Sequence, residues 1–494
     1  MKKIWQEFKQ SDFSNKLKML LPIFSLIIAL SITIWLSFQY FLLADFPIGQ
    51  DVIYHLNRVL VVEKEGLASA FHFSIYPFSV IALIFWHKFL GLFGMSLVRI
   101  FIFAECFYLL AIAILSGILA KKVFNNFWVG IITMILVASS RWLNDYLRIG
   151  LIAETLGLVF FVASLIMLVE KKWIWLAIFM ILLFLSHPLP FFVFLVIFLA
   201  FNIFWFFTRK GKKIHIVVFI IILLAIALGL IYLFWPGYIH TVLYYFHAYV
   251  TRKDERTFFH YMIDYDKRRL ILYAVGFLGV IWSLVNFKRS KKFWLFFIFF
   301  VLALLICFKQ YLGIHYLSFR FYAYFEIGIA VFAAFAIVNL GKVSSKWLVW
   351  LIIPALIFVC VYPNYWSNKD ITNWQLHDDA AGNILPSAER KNLSAIEEKI
   401  DKRFIVYSPS DWVLWMGLDG FDVKTDWSFG NQFRLRLFGL PLGKTDEEWL
   451  EFFQNKKIKY LYFPSTSPVY QIEQSNFLQL IFNQDNIRLY EIQF

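Results

Sequence analysis

The stretch MLLPIFSLIIALSITIWLSFQYFLLADFPIGQDVIYHLNR, Met19 to Arg58, decides how the chain is read. Residues 20–43 form an uncharged apolar run, long enough to cross a bilayer, which takes about 20 residues. The run lacks a small-residue cleavage site, so it reads as a retained span rather than a signal peptide. The chain then turns polar at Asp45-Phe46-Pro47-Ile48-Gly49 and starts a helical pattern at Asp51. On a helix Asp51, His55 and Arg58 share one face. The bland reading of Asp51 is an N-cap for an interfacial helix. A sharper one is an acid held at the membrane surface beside a histidine and an arginine. Both can hold at once.

The whole chain agrees with that start. Of its 494 residues 61% are hydrophobic and only 16% charged, with mean hydropathy +0.67. A soluble protein carries about 25% charged residues, so a soluble enzyme is excluded. Aromatics make up 21%, which suits lipid contact and interfacial belts. The net charge of +14 reports cytoplasmic anchoring lysines rather than a nucleic-acid partner. Cys106, Cys307 and Cys360 lie in apolar stretches, without disulfide or metal-thiolate spacing.

Apolar segments able to span are 20–43, 97–120, 123–140, 151–169, 173–189, 190–208, 214–235, 270–287, 293–308, 321–341 and 346–362. A twelfth candidate, 76–95, carries His87 and Lys88 near its middle and is flanked by Pro77 and Gly94; it reads as a helix lying in the interface. The positive-inside rule supports this. With 76–95 flat and the N-terminus cytoplasmic, the inner loops gather Lys121-Lys122, Lys171-Lys172, Arg209 to Lys213, Lys288 to Lys292, Lys342 and Lys346. The expectation is therefore a mainly α, multi-pass protein of the cell membrane with about 11 transmembrane helices over 1–362. Its outer loops are 44–96, 141–150, 236–269 and 309–320. Lys267-Arg268-Arg269 sits at a span end on the wrong side, which suggests a task there.

After 362 the composition turns polar. Phe404 to Tyr407, Ile458 to Phe463 and Ile487 to Ile492 read as strands, and Thr445-Asp446-Glu447-Glu448 opens a helix with an N-cap and an acidic first turn. Residues 363–494 are expected to form a small extracytoplasmic α/β domain. No short repeat is present, and no pair of broken spans related between halves.

The charged residues of the spans cluster at the outer rim, apart from Glu105 and Glu326, which stand out of place. The second outer loop, Ser139-Ser140-Arg141-Trp142-Leu143-Asn144-Asp145-Tyr146-Leu147-Arg148, packs two arginines and a carboxylate between spans, and Glu154 follows one turn into the next. An acid at that depth is costly unless paired or facing a wet cavity. Simple pairing with Arg141 or Arg148 is the bland alternative. His187 lies in a Pro-rich corner, Ser186 to Pro190. Arg320 stands at the mouth of a span that also holds Glu326, where snorkelling to headgroups would suffice. Asp264-Tyr265-Asp266 and Asp378-Asp379 read as solvated loop charges. No P-loop, dinucleotide fingerprint or HExxH pattern occurs.

An Asp shortly after span one, followed by an aromatic-His pair and an Arg, resembles the first-loop motif of GT-C-type membrane glycosyltransferases. These include oligosaccharyltransferases, protein O-mannosyltransferases and aminoarabinose transferases. The second loop with Asp145 is similar to their second acidic site, helix 76–95 to their juxtamembrane helix, and Ser318-Phe319-Arg320-Phe321 to the arginine segment near the lipid phosphate. There are departures. The first loop has one acid at the key place, and Asn144-Asp145 replaces Asp-x-Asp, which weakens the case for a bound divalent metal. The oligosaccharyltransferase acceptor motif is absent.

The resemblance implies a polyprenyl-phosphate or -diphosphate sugar as donor and a glycan, lipid or protein acceptor. Such a leaving group is already a stable anion. The protein must then supply a carboxylate to take the acceptor proton, worth about 10²–10⁴-fold, and cations to hold the departing phosphate. Asp51 is the expected base, and Asp145 the second acidic catalytic residue. His55, Arg58, Arg141, Arg148, Glu154, His187 and Arg320 are the expected substrate-binding residues. The rival is a non-catalytic protein that binds or transports a lipid-linked glycan, or an inactive member of the class.

Overall fold

The computed structural model describes residues 13–43, 50–73, 76–140, 142–144, 146, 150–208, 229, 232–233, 269–286, 290–308, 319–343, 354–355, 357–358, 387–408, 422–425, 446–465 and 471–494. The chain divides into two compact units. One is Met1–Pro47 with Gly66–Thr372; the other is Ile48–Glu65 with Asn373–Phe494.

The first unit is a helical membrane body. Its main described helices are α1 (Phe13–Leu43), α3 (Pro77–Gly91), α4 (Leu97–Phe124), α5 (Phe127–Ala138), α6 (Ile152–Glu170), α7 (Trp173–Ser186), α8 (Pro188–Thr208), α9 (Leu270–Asn286), α10 (Lys291–Cys307) and α11 (Phe319–Val343). Stretches Leu20–Leu42, Leu97–Phe124, Ile152–Glu170 and Arg320–Gly341 are long and apolar enough to cross a bilayer; most of the others are apolar but shorter. The chain is thus a multi-pass membrane protein. The sequence segments 214–235 and 346–362 fall almost wholly outside the described residues.

Tight connections explain the hairpins. Asn125 takes a left-handed conformation to end α4, and Asn126 Oδ1 caps α5 by accepting from Trp128 N at 2.9 Å. Lys171 ends α6 in the same left-handed conformation. Ser290 Oγ caps α10 through Phe293 N at 3.1 Å. At this end of the body Glu170 bridges Lys122 and Lys292, each at 3.2 Å, so three of the basic connections meet.

Helix α11 is the hub. Every residue from Arg320 to Val338 is buried, as expected of a helix apolar all round, and it packs on α4, α5, α9 and α10. Its contact with α9 is backbone-close. A Cβ at Gly279 would fall on the Phe332 carbonyl, and one at Gly276 on Ile329, the small-residue approach of membrane helices. Helix α1 lies at the rim, with Phe24, Ile27 and Ile28 exposed. Helix α3 buries Val80, Leu83 and Ile84, leaves Phe85 and Phe89 outside, and joins α4 through Trp86 Nε1 donating to the Tyr108 hydroxyl at 3.2 Å.

The second unit holds α2 (Gln50–Glu65), α12 (Ser387–Glu397), β1 (Ile405–Ser408), β2 (Asp422–Thr425), α13 (Asp446–Asn455), β3 (Ile458–Phe463), β4 (Leu478–Gln484) and β5 (Ile487–Ile492). The strands form one mixed sheet in the order β2-β1-β3-β5-β4. β1 is parallel to β2 and β3, while β5 is antiparallel to β3 and β4. Alternation loads both faces. Val406, Tyr460, Tyr462 and Leu489 pack with Ile396 of α12; Tyr407, Leu461, Phe463 and Tyr490 pack with Phe453 of α13. β4 and β5 are joined by Asp485 and Asn486, both at positive φ, which suits a two-residue hairpin turn. On α2, Val52, Leu56, Val59 and Val62 are fully buried, the spacing of an amphipathic helix.

Candidate functional site

Two buried ion pairs of the membrane body lie near the ends of α5, α6, α9 and α11. Glu154 lies in the first turn of α6, where the helix dipole favours an anion. It is buried, and Arg320 Nη1 donates to its Oε2 at 2.9 Å. The Tyr146 hydroxyl stands between Glu154 Oε1, at 3.2 Å, and the Arg320 carbonyl. The arginine is the more open partner: its side chain is 10% exposed and that of Glu154 0%.

A second pair lies beside the first. Arg269, just before α9, donates through Nη1 to Glu326 Oε2 and through Nη2 to the Ser139 carbonyl at 2.6 Å. Ser140 Oγ donates to the same carboxylate, and the Tyr273 hydroxyl donates to its Oε1 at 2.8 Å. Both side chains of the pair are buried.

His187 forms the corner before α8. Its ring stacks on Tyr76, with centroids 4.6 Å apart, and its Nδ1 accepts from Leu189 N at 3.1 Å. The proton of the neutral ring therefore sits on Nε2. The absence of a side chain at Gly157, one turn beyond Glu154, lets this corner approach, since a Cβ there would meet His187 Cβ at 3.2 Å. Trp142 stacks on Tyr322 at 4.8 Å.

In the second unit Asp51 is the second residue of α2, with His55 and Arg58 following on the same helix. His55 is buried, and burial together with the nearby Arg58 charge lowers its pKa to about 3.

The structure thus joins two residues singled out from sequence, Glu154 and Arg320, in one ion pair. Arg320 is buried against Glu154 rather than snorkelling, and this described contact of Glu154 is with Arg320 rather than with Arg141 or Arg148. Asp145, Arg141 and Arg148 lie outside the described residues, as do Lys267, Arg268 and both acidic pairs. Sequence reasoning missed Tyr146, Ser140 and Tyr273 as partners of these acids. It had marked Arg269 and Glu326 as out of place, and their pairing is the reason. Among the described residues no three His, Cys, Asp or Glu side chains gather as a metal site.

No protein-family model matches the chain, and no curated protein matches it in sequence. Solved structures do. ArnT from Cupriavidus metallidurans in the apo state matches with a TM-score of 0.60 at 12% identity, over 97% of this chain and 98% of that one. The Archaeoglobus fulgidus oligosaccharyltransferase in the apo form matches with a TM-score of 0.52 at 13% identity, over 90% of this chain and 69% of its own. Its complex with Zn and sulfate gives 0.50 at 14% identity, over 89% and 68%. Both are GT-C glycosyltransferases, and the chain shares their fold.

Proposed function

We propose that the chain is a membrane glycosyltransferase that moves a sugar from a polyprenyl-phosphate-type lipid to an acceptor on the extracytoplasmic face. The observation that carries this reading is the fold likeness to ArnT, which runs over nearly the whole of both chains. The proposed topology has eleven spans, a cytoplasmic N-terminus and the C-terminal domain outside. In the reaction the acceptor hydroxyl attacks the anomeric carbon, the carbon–oxygen bond to the phosphate breaks, and the lipid phosphate leaves as an anion. Asp51 takes the hydroxyl proton, which is worth about 10²–10⁴-fold. Asp145 orients the substrate. Arg320 holds the departing phosphate by charge-assisted hydrogen bonds, with Arg141 and Arg148 as the alternatives for that role. His55, Arg58, Glu154 and His187 complete the binding groups.

The transport alternative calls for paired charges near the bilayer midplane. Against it stands the distribution of charges along the sequence, which cluster at the outer rim, apart from Glu105 and Glu326.

The test is Asp51→Asn, which keeps size and capping ability. The variant should insert normally and bind undecaprenyl phosphate as the parent does. Its transfer from an undecaprenyl-phosphate sugar should be about 10²-fold slower or worse. Asp145→Asn should lose less. Normal turnover by Asp51→Asn with none by Asp145→Asn would reverse the roles, and normal turnover by both would remove them from the chemistry.

A further inference from the structure

The Arg269–Glu326 pair has no part in the reaction as proposed. We propose that it is a latch that positions the 139–146 loop for turnover. The idea rests on the transferase reading, because the loop matters as the carrier of Asp145. Three segments meet at the latch: the start of α9, the hub helix α11 and the end of α5. The Arg269 side chain is 0% exposed and that of Glu326 2%. The arginine fork reaches Glu326 with one nitrogen and the Ser139 carbonyl with the other. Glu326 receives the Ser140 hydroxyl, and the same Ser140 oxygen accepts from Leu143 N at 3.2 Å. A continuous relay therefore runs from guanidinium to carboxylate to hydroxyl to the backbone of the loop.

The two chain neighbours of Asp145 are themselves tied down, Asn144 to the latched Ser140 and Tyr146 to the neighbouring ion pair. Asn144 Nδ2 donates to the Ser140 carbonyl at 2.7 Å, and Asn144 N donates to the same oxygen at 3.0 Å. Tyr146 is tied by its hydroxyl to Glu154 and the Arg320 carbonyl. As glue the latch is a poor choice, since apolar residues of equal volume commonly stabilise a buried site as well or better. What the ion pair adds is direction. A planar fork fixes two acceptors at set angles, which a lysine cannot do. The pair is therefore suited to setting loop geometry, and Arg269 and Glu326 are positioning residues.

The experiment compares the full-length parent with Arg269→Lys and Glu326→Gln in lipid nanodiscs. Amide hydrogen exchange is read at residues 139–144 and in α11. Binding of undecaprenyl phosphate is measured, and so are kcat and KM with undecaprenyl-phosphate aminoarabinose and undecaprenyl-phosphate mannose. Both variants should exchange at least tenfold faster in the loop with α11 unchanged. Their kcat should fall at least tenfold while KM and undecaprenyl phosphate binding stay within about twofold. Arg269→Lys should fail to rescue, since charge without the fork does not hold the loop. Unchanged loop exchange, or full activity in Arg269→Lys, overturns the latch. A loosened loop with unchanged kcat overturns its role in turnover and leaves the transferase reading standing. A parent that transfers neither sugar overturns that reading, and the role of the latch with it.

Discussion

Glu154→Gln should tighten the binding of a lipid phosphate. Arg320 is the more open member of its buried pair, and Glu154 Oε2 holds its Nη1 at 2.9 Å. A phosphate arriving at Arg320 competes with that carboxylate for the guanidinium. Glutamine keeps the shape and an acceptor oxygen but removes the competing charge. A hydrogen bond involving a charged group contributes about 1.5–3 kcal/mol, and each 1.4 kcal/mol is tenfold in affinity. Affinity for undecaprenyl phosphate should therefore rise by about tenfold to a hundredfold. Stability moves the other way, because removing one partner of a buried pair costs about 3–5 kcal/mol. The two effects separate in one preparation of detergent-solubilised protein, by thermal unfolding and by thermophoretic titration with undecaprenyl phosphate at a temperature where both forms are folded. Arg320→Lys is the companion variant and should weaken binding, since it loses the fork. Equal or weaker binding by folded Glu154→Gln, with Arg320→Lys unaffected, would refute the reasoning and leave Arg320 as a tie between α6 and α11.

Lowering the pH should destabilise the fold around α2. Folded His55 stays neutral down to about pH 3, whereas an unfolded chain protonates it below about pH 6.5. Stability is therefore full above that pH and falls as pH drops toward 3, by about 2 kcal/mol at pH 5; His55→Gln should flatten the dependence, and an identical pH slope in parent and variant would remove His55 as its source. The topology is checked by single cysteines at Gly211, Ser290 and Lys402 in a chain whose native cysteines are replaced. A membrane-impermeant maleimide added outside intact cells should label only the one at Lys402, and a Lys402 site protected from outside would overturn the eleven-span arrangement.

Spans and strands were legible because their periodicity is local. The apolar runs at 97–120 and 151–169 needed only length to be recognised, and Ile458 to Phe463 needed only alternation. β2 and β4 were not found. β4, Leu478 to Gln484, is half exposed and carries weak alternation, and its clearest signal was the Asp485-Asn486 turn behind it. The site was legible as a list of costly residues rather than as pairs. Glu154 at its depth demanded a cation, and the nearest in sequence were Arg141 and Arg148. The partner found is Arg320, 166 positions away, and no helical or strand period encodes such a contact. In the same way Arg269 and Glu326 each stood out alone, and only the packing of α9 on α11 shows that each explains the other. The grouping of α2 with the C-terminal unit was hidden for the same reason, since α2 follows directly on a span.

The placement of acids along the membrane helices bears on which chemistry the body can support. A translocation path for an anionic or proton-coupled substrate requires ionisable groups stepping through the bilayer, with countercharges at depth. Of the three buried acids described in α4, α6 and α11, two do not step inward. Glu154 bonds the Tyr146 hydroxyl, in the loop before its helix, and Glu326 bonds Ser140 and Arg269 at helix ends. Glu105, in the first half of α4, is the third; it is fully buried and has no ion pair among the described residues. Among the described residues, then, the buried acids form no series stepping through the body. The two neutralised pairs do something different, since they gather four charged groups with their hydroxyl partners near the ends of α5, α6, α9 and α11. With the hub helix apolar from Ile327 to Val338, paired charges gathered near helix ends favour the proposed transferase over a translocator, which needs its charges to step through the bilayer.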